Sequence, residues 1–135
     1  MHTEGLLAPA TEAAAREEYA AAEHAAGVVV REIIRSLSVA DDAAEPDDAV
    51  LQTATEALFA SLLEVKVGTR AEFDDYTEEH DRGVEVLGSE HVSGVAWHDA
   101  AALDRVIAAT FENEPAAAVD ALRRQTFAKC YREVI

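Results

Sequence analysis

The sequence contains one cysteine, Cys130, and therefore cannot form a disulfide within the chain. A single thiol is compatible with a reducing compartment. Long apolar segments are also missing, since the densest runs, residues 25–30 and 57–63, are far shorter than the roughly 20 residues that cross a bilayer. Residues 1–4 contain neither lysine nor arginine, and the apolar stretch behind them is too short for a secretion signal. We therefore expect a cytoplasmic protein without a membrane span.

Basic side chains are scarce, lysine above all. The chain has 27 acidic residues against 11 basic ones, a net charge of −16, and only two lysines, Lys66 and Lys129. Crowded carboxylates repel one another, and about 1 M salt shortens the range of that repulsion to roughly 3 Å. This composition is typical of proteins in a salt-accumulating cytoplasm, with an acidic surface and salt cations as condensed counterions. The alternatives are an ordinary acidic protein and one that binds basic partners.

Short catalytic and cofactor-binding motifs are absent as well. The sequence has no GxGxxG, no Walker loop, and no CxxC, HExxH or GxSxG motif. The motif-defined dinucleotide, P-loop, zinc-protease and hydrolase classes are therefore excluded, whereas enzymes without a short motif stay open. We predict no cofactor and assign no metal site.

Half of the residues are hydrophobic, and they recur at helical spacing. Thr11 can cap a first helix of about 27 residues, or roughly 40 Å. An acidic linker at residues 40–48 follows this helix. One face of the helix is apolar and is predicted to face the core: Ala15, Tyr19, Ala22, Ala26, Val29, Ile33 and Leu37.

Four further helices are predicted. Pro46 starts a second helix that is apolar on most sides and ends at Gly68. Thr69 opens a capping box, with a glutamate three residues later, for a short third helix. Residues 115–133 form the last helix. Asp99 caps a fourth helix, whose inward residues are Leu103, Val106, Ile107, Thr110 and Phe111.

One stretch has a β-like pattern. Residues 84–87 alternate in polarity, residues 95–98 are short and apolar, and glycines lie between and beside them. We therefore predict a mainly α fold with four to five helices around one core, with or without a short β-hairpin near residues 84–98. Residues 1–135 are expected to form a single domain.

Side chains suited to catalysis or metal binding lie in and near this stretch. His91, His98 and Asp99, with the thiol of Cys130, are donors that Zn²⁺ prefers. Their spacing matches no known zinc motif, and the alternative is that Trp97 packs in the core while His98 forms a hydrogen bond at its rim. Cys130 could act as a nucleophile with a distant histidine, although its place on an apolar helix face favours an inert thiol. The candidate catalytic residues are therefore His91, His98 and Cys130.

The last helix holds the one concentration of basic residues, and these are candidates for binding an acidic partner or a second subunit. Nucleic acid is disfavoured, because the rest of the chain is anionic and phosphate binding weakens steeply with salt. The helix dipole, which favours cations near a C-terminus, is the alternative explanation. The candidate partner-binding residues are Arg123, Arg124, Lys129 and Arg132.

Four segments carry a resemblance to known sequences: HTEG at residues 2–5, LFASLLEVKVGTR at 58–70, VAWH at 95–98 and AATFENEPAAAVDALRRQTF at 108–127. On these segments the chain resembles a family of small, acidic haloarchaeal proteins of unknown function. The resemblance implies a halophilic archaeal origin and a helical fold, and it brings no activity with it.

Two classes of function are compatible with these observations. The first is a non-enzymatic interaction or assembly protein, as a homodimer or with a protein partner, which the long amphipathic first helix favours. The alternative is a small enzyme or metal-binding protein with a site around Trp97 and His98. An oligomer should leave a contiguous apolar patch uncovered on the monomer. The alternative requires His91, His98 and Cys130 to converge in one cleft.

Overall fold

Helices and strands are interspersed along the chain in the computed structural model, which describes residues 1–37 and 46–135. These residues form an α/β fold, so the predicted mainly α class is wrong. The elements, in chain order, are β1 (His2–Glu4), α1 (Glu12–Leu37), α2 (Asp48–Leu62), β2 (Val65–Thr69), α3 (Arg70–Glu79), β3 (Gly83–Leu87), β4 (Gly94–Ala100), a 3-10 turn (Ala101–Leu103), β5 (Arg105–Phe111), α4 (Pro115–Thr126) and a π-helical turn (Phe127–Tyr131).

The five strands form one mixed sheet in the order β1-β2-β4-β5-β3. Neighbouring strands are antiparallel except β3 and β5, which run parallel. The predicted hairpin near residues 84–98 is therefore wrong in its pairing, because β5 lies between β3 and β4. The loop at residues 88–93 crosses the position of β5 in the sheet to connect β3 with β4. A two-residue hairpin turn joins adjacent strands and could not cross that distance.

Residues 99–111, predicted as a fourth helix, are instead the end of β4, the 3-10 turn and β5. β5 has both faces covered, since Val106 and Ala108 belong to one hydrophobic cluster and Ile107 and Ala109 to the other. A strand buried on both faces is a continuous apolar run, which periodicity cannot distinguish from a buried helix. The prediction of a helix fails for this reason.

Two predicted helix starts are confirmed. The hydroxyl of Thr11 accepts a hydrogen bond from the backbone N–H of Ala14 at 3.0 Å and so caps α1. At α3 the capping box of Thr69 and Glu72 has both of its reciprocal hydrogen bonds. The predicted acidic linker at residues 40–48 lies outside the described residues except for its last three positions.

The second helix begins two residues after Pro46, as predicted, but it ends at Leu62 rather than at Gly68. The chain then turns directly into β2, where Val65 and Val67 are buried while Lys66 lies on the other face. The spacing of Val65 also fits the apolar face of α2. For this reason the sequence places the end of the second helix too late.

The sheet separates two hydrophobic clusters. On one face α4 contacts β4 and β5, α2 contacts α4, and α1 contacts α2. The larger cluster lies among these elements and includes the fully buried Phe59, Leu63 and Leu122. On the other face α3 packs Phe73 against Trp97, with 5.3 Å between ring centroids.

The last ten residues of α1 reach beyond the core. The helix contains 26 residues, or roughly 39 Å at 1.5 Å per residue. Val29, Ile33 and Leu37 are 55%, 52% and 78% exposed, so the prediction that they face the core is wrong. We call residues 28–37, none of which is buried, the α1 overhang. The same stripe does face the core before the overhang, as predicted for Ala15, Ala22 and Ala26.

Candidate functional site

The side chains predicted to form a catalytic or metal site do not converge. Trp97 and His98 are consecutive in β4 and therefore point to opposite faces of the sheet. His91 is exposed in the loop between β3 and β4, and Cys130 is buried in the π-helical turn, where burial raises the pKa of its thiol. Within residues 1–37 and 46–135, no three His, Cys, Asp or Glu side chains are grouped so that they could hold a metal ion.

His98 is a fully bonded core residue rather than a residue at the rim of the core. Its side chain is 1% exposed, and its Nδ1 lies 2.6 Å from the backbone oxygen of Glu64. Because a carbonyl oxygen only accepts, Nδ1 carries the proton and Nε2 accepts from the hydroxyl of Tyr131, at 2.7 Å. Burial lowers the pKa of His98 and raises that of Tyr131, which favours the neutral imidazole and the protonated phenol that this arrangement requires.

The buried His98 should make the stability of the domain depend on pH. In the folded chain its pKa lies below the ordinary value of 6.5, so the unfolded chain takes up a proton first as the pH falls. Acid therefore favours unfolding, and the contribution of His98 is lost as the pH falls from about 6.5 towards its lowered pKa, by at most about 1.4 kcal/mol per pH unit. Urea unfolding at a series of pH values from neutral to mildly acidic measures this slope.

The matched control for the pH series is His98→Gln, which removes the titrating group. Other groups contribute to the pH dependence of both proteins, so the informative quantity is the difference between the two slopes. A wild-type slope no steeper than that of the variant would contradict the assignment of a neutral, buried His98.

A polar network lies on the opposite face of the sheet, beside Trp97. The hydroxyl of Tyr76 donates to Oδ2 of Asp99 at 2.5 Å, and Nε of Arg82 forms an ion pair with Oδ1 of Asp99 at 2.6 Å. Arg82 also contacts Asp104, at 3.4 Å. Burial, and then the bond to Asp99, raise the pKa of Tyr76, so the phenol remains a donor. The network joins α3 to the sheet and pairs the partly buried carboxylate of Asp99 with the guanidinium of Arg82.

Sequence patterns do not reveal this network. Tyr76 and Asp99 are separated by 23 positions, and their contact depends on how α3 lies across β4. From the sequence, Asp99 is predicted to cap a helix, because it precedes an apolar run. The role of Asp99 follows from the register of β4 in the sheet, and this register is known only once the fold is known.

The basic residues of the last helix do not form one patch. Lys129 forms an ion pair with Glu85 of β3 at 2.9 Å, whereas Arg132 forms one with Glu56 of α2 at 3.2 Å. Two of the four candidate partner-binding residues thus have their charge balanced within the chain, in two different places. The other two lie together at a third place.

Arg123 and Arg124 line a cleft of about 210 Å³ between α2 and α4. Arg123 is half-buried, and its Nε donates to the backbone oxygen of Leu63 at 3.1 Å. Arg124 is exposed. We call this feature the arginine cleft, and its remaining lining residues are Ala57, Ala60, Ser61 and Asp120.

The α1 overhang carries the largest group of exposed apolar side chains. Among the eight large hydrophobic residues that are exposed in the described chain, four lie in these ten positions: Val28, Val29, Ile33 and Leu37. They surround a shallow depression of about 510 Å³, with Glu32 and Ser36 beside them. A contiguous apolar patch of this kind is the feature expected of an associating monomer.

Fold and side-chain placement together define a small α/β protein with a mixed five-stranded sheet, an apolar overhang and an arginine cleft. The chain belongs to a family of unknown function (DUF5809), whose sequence model matches residues 6–132. The predicted resemblance to a family of unknown function is thereby confirmed, while the archaeal origin stays a prediction. Neither the curated proteins nor the solved structures contain a match to the chain. Within the described part of the chain, no helix combines the length and the hydrophobicity needed to span a bilayer.

Proposed function

We propose that the protein is a non-enzymatic assembly protein that forms a homodimer through the α1 overhang. The observation that carries this proposal is the exposed stripe of Val29, Ile33 and Leu37, which are four residues apart on one face of α1. Rows of side chains at this spacing form the ridges with which helices pack on one another. Removing such side chains from water contributes about 25 cal/mol per Å² of apolar surface.

The charges of the overhang support a second copy of the chain as its partner. The whole chain carries a net charge of −16, so two copies repel each other over most of their surfaces. The overhang is different, because its charged residues are two arginines and one glutamate: Arg31, Arg35 and Glu32. Arginines outnumber carboxylates on the overhang, so the acidic excess that makes the rest of the two chains repel each other is missing at this contact.

The size of the overhang sets the expected strength of the dimer. Ten helical residues are about 15 Å long, so two overhangs and the neighbouring part of α2 bury an estimated total of about 1,000 Å². Interfaces at this small end of the range are weak, and we expect a dissociation constant of roughly micromolar order.

Replacing Ile33 with aspartate is expected to weaken the dimer at least about tenfold, because the new carboxylate would be buried without a partner. Sedimentation equilibrium of the full chain over roughly micromolar to hundreds of micromolar concentrations measures the change. The matched control is Ala20→Asp, which places the same charge on an exposed position of α1 outside the overhang. A wild-type protein that is monomeric throughout, or an equal loss in both variants, would refute the proposal.

We also propose that the protein works in the salt-rich cytoplasm of a halophilic archaeon. The excess of carboxylates supports this setting, because about 1 M salt confines their repulsion to near neighbours. Repeating the wild-type sedimentation series at low and at molar KCl tests the idea. The dimer should tighten with salt, and association that is unchanged or weaker at high salt would argue against this setting.

A further inference from the structure

Arg124 is the exception among the basic side chains of the described chain. Arg31 has an interaction within the chain, and each of the other lysines and arginines has a hydrogen bond or an ion pair. Arg124 has none within residues 1–37 and 46–135, although the chain contains 27 acidic residues. Asp120, one turn earlier in α4, lines the same cleft without pairing with it. A permanently charged guanidinium with five N–H donors is thus left without a protein acceptor.

Arg123 places a second guanidinium at the same cleft. Its Nε is held by the backbone oxygen of Leu63, whereas its two terminal amino groups form no hydrogen bond within the described residues. The N-terminal segment packs closely over this point, where Gly5 has a φ of +92° and a Cβ on Gly5 would lie 2.8 Å from Nη2 of Arg123. Glycine is the residue that tolerates both the left-handed backbone and the close approach. The position of Arg123 is therefore fixed by three parts of the chain.

We propose that the arginine cleft binds a carboxylate group of a ligand. The planar fork of a guanidinium matches the two oxygens of a carboxylate, and the remaining walls are mostly the small side chains of α2. A volume of about 210 Å³ admits a carboxylate with several attached atoms. A singly charged group is preferred to a phosphate dianion, because Asp120 lies in the cleft and the chain as a whole is strongly negative.

This site is separate from the proposed dimer contact, because its α2 residues are Ala57, Ala60 and Ser61, near the end of that helix, whereas the overhang adjoins the start of α2 near Leu51. The bound carboxylate belongs either to a small carboxylic acid or to a glutamate or aspartate side chain of a protein. Both sources present the same two oxygens to the arginines, so the experiment must compare them directly.

The test follows the arginine Nε–Hε resonances of the ¹⁵N-labelled full chain while sodium acetate replaces sodium chloride at constant ionic strength. We expect saturable shifts of the Arg123 and Arg124 signals, with a dissociation constant of roughly millimolar order. A second arm uses N-acetyl-glutamate amide, and a third uses inorganic phosphate. Binding of the glutamate compound about tenfold tighter than acetate supports a protein ligand, whereas equal binding supports a small carboxylic acid.

Variants separate this site from general anion attraction. Arg124→Gln should weaken acetate binding at least about tenfold. The acetate affinity of Arg124→Lys should lie between those of the wild type and Arg124→Gln, because lysine keeps the charge but loses the planar fork. The control is Arg132→Gln, which removes the same charge from a nearby residue that already pairs with Glu56. Shifts that remain linear in acetate, equal losses in the Arg124→Gln and Arg132→Gln variants, or tighter binding of phosphate than of acetate would each overturn the proposal.

Discussion

Replacing Phe59 with alanine is expected to lower the free energy of unfolding by about 3–5 kcal/mol. Phe59 lies on α2 with no exposed surface, and its ring makes edge contacts with three other aromatic rings. The centroids lie 5.7 Å from Tyr19 on α1 and 5.8 and 5.5 Å from Phe127 and Tyr131 of the π-helical turn. Truncation would thus remove the packing that joins α1 and α2 to the C-terminal end of the chain, and it would leave a cavity among rigid rings.

Urea unfolding followed by circular dichroism measures this loss. The matched control is Leu6→Ala, since Leu6 is 78% exposed and its truncation should change the stability by less than about 0.5 kcal/mol. A loss of less than about 1 kcal/mol for Phe59→Ala would mean that the aromatic cluster is not the centre of the larger core.

Local signals were sufficient for the elements whose starts are defined by side-chain capping. Thr11 bonds to the next turn of its own helix, and Thr69 and Glu72 close their box within four residues. Such contacts form between neighbours in the sequence, so residue types alone identify them. The first and third helices could be predicted for this reason.

The central strand β5 could not be predicted in the same way. Its residues 105–111 are covered on both faces, so they show neither the alternation of a half-buried strand nor a polar helix face. Their strand conformation depends on pairing with β4 and with the parallel β3, which lies about 20 residues earlier. This segment contributes most to the error in fold class, because β5 joins two parts of the sheet, and the unpredicted strands β1 and β2 add to it.

The overhang shows a related limit. The apolar stripe of α1 continues from Ala26 to Leu37 without interruption, and hydrophobicity alone predicts that all of it is covered. Only the exposed fractions of these side chains in the fold show that the end of the helix is uncovered. The arginine cleft could not be predicted either. The four basic residues of the last helix differ in the partners that they contact in the fold, and the sequence around them does not reveal those partners.

Replacing His98 with leucine is expected to cost about 2–5 kcal/mol of unfolding free energy, although leucine is similar in size and more hydrophobic. The substitution leaves the backbone oxygen of Glu64 and the hydroxyl of Tyr131 buried without their partner, and each unpaired group costs about 1–3 kcal/mol. Urea unfolding at neutral pH measures the loss. The control is His91→Leu, which alters an exposed side chain and should change the stability by less than about 0.5 kcal/mol.

A double-mutant cycle identifies the pair that is responsible. Tyr131→Phe alone leaves Nε2 of His98 without its donor and should cost about 1–2 kcal/mol. If the two side chains bond to each other, His98→Leu with Tyr131→Phe should cost less than the sum of the single changes, because both partners are then removed together. Wild-type stability of His98→Leu would contradict the structural role, since an imidazole that can be lost without cost is not holding Glu64 and Tyr131 in place. Strict additivity of the two changes would instead leave the bond to Glu64 as the only one that stabilises the fold.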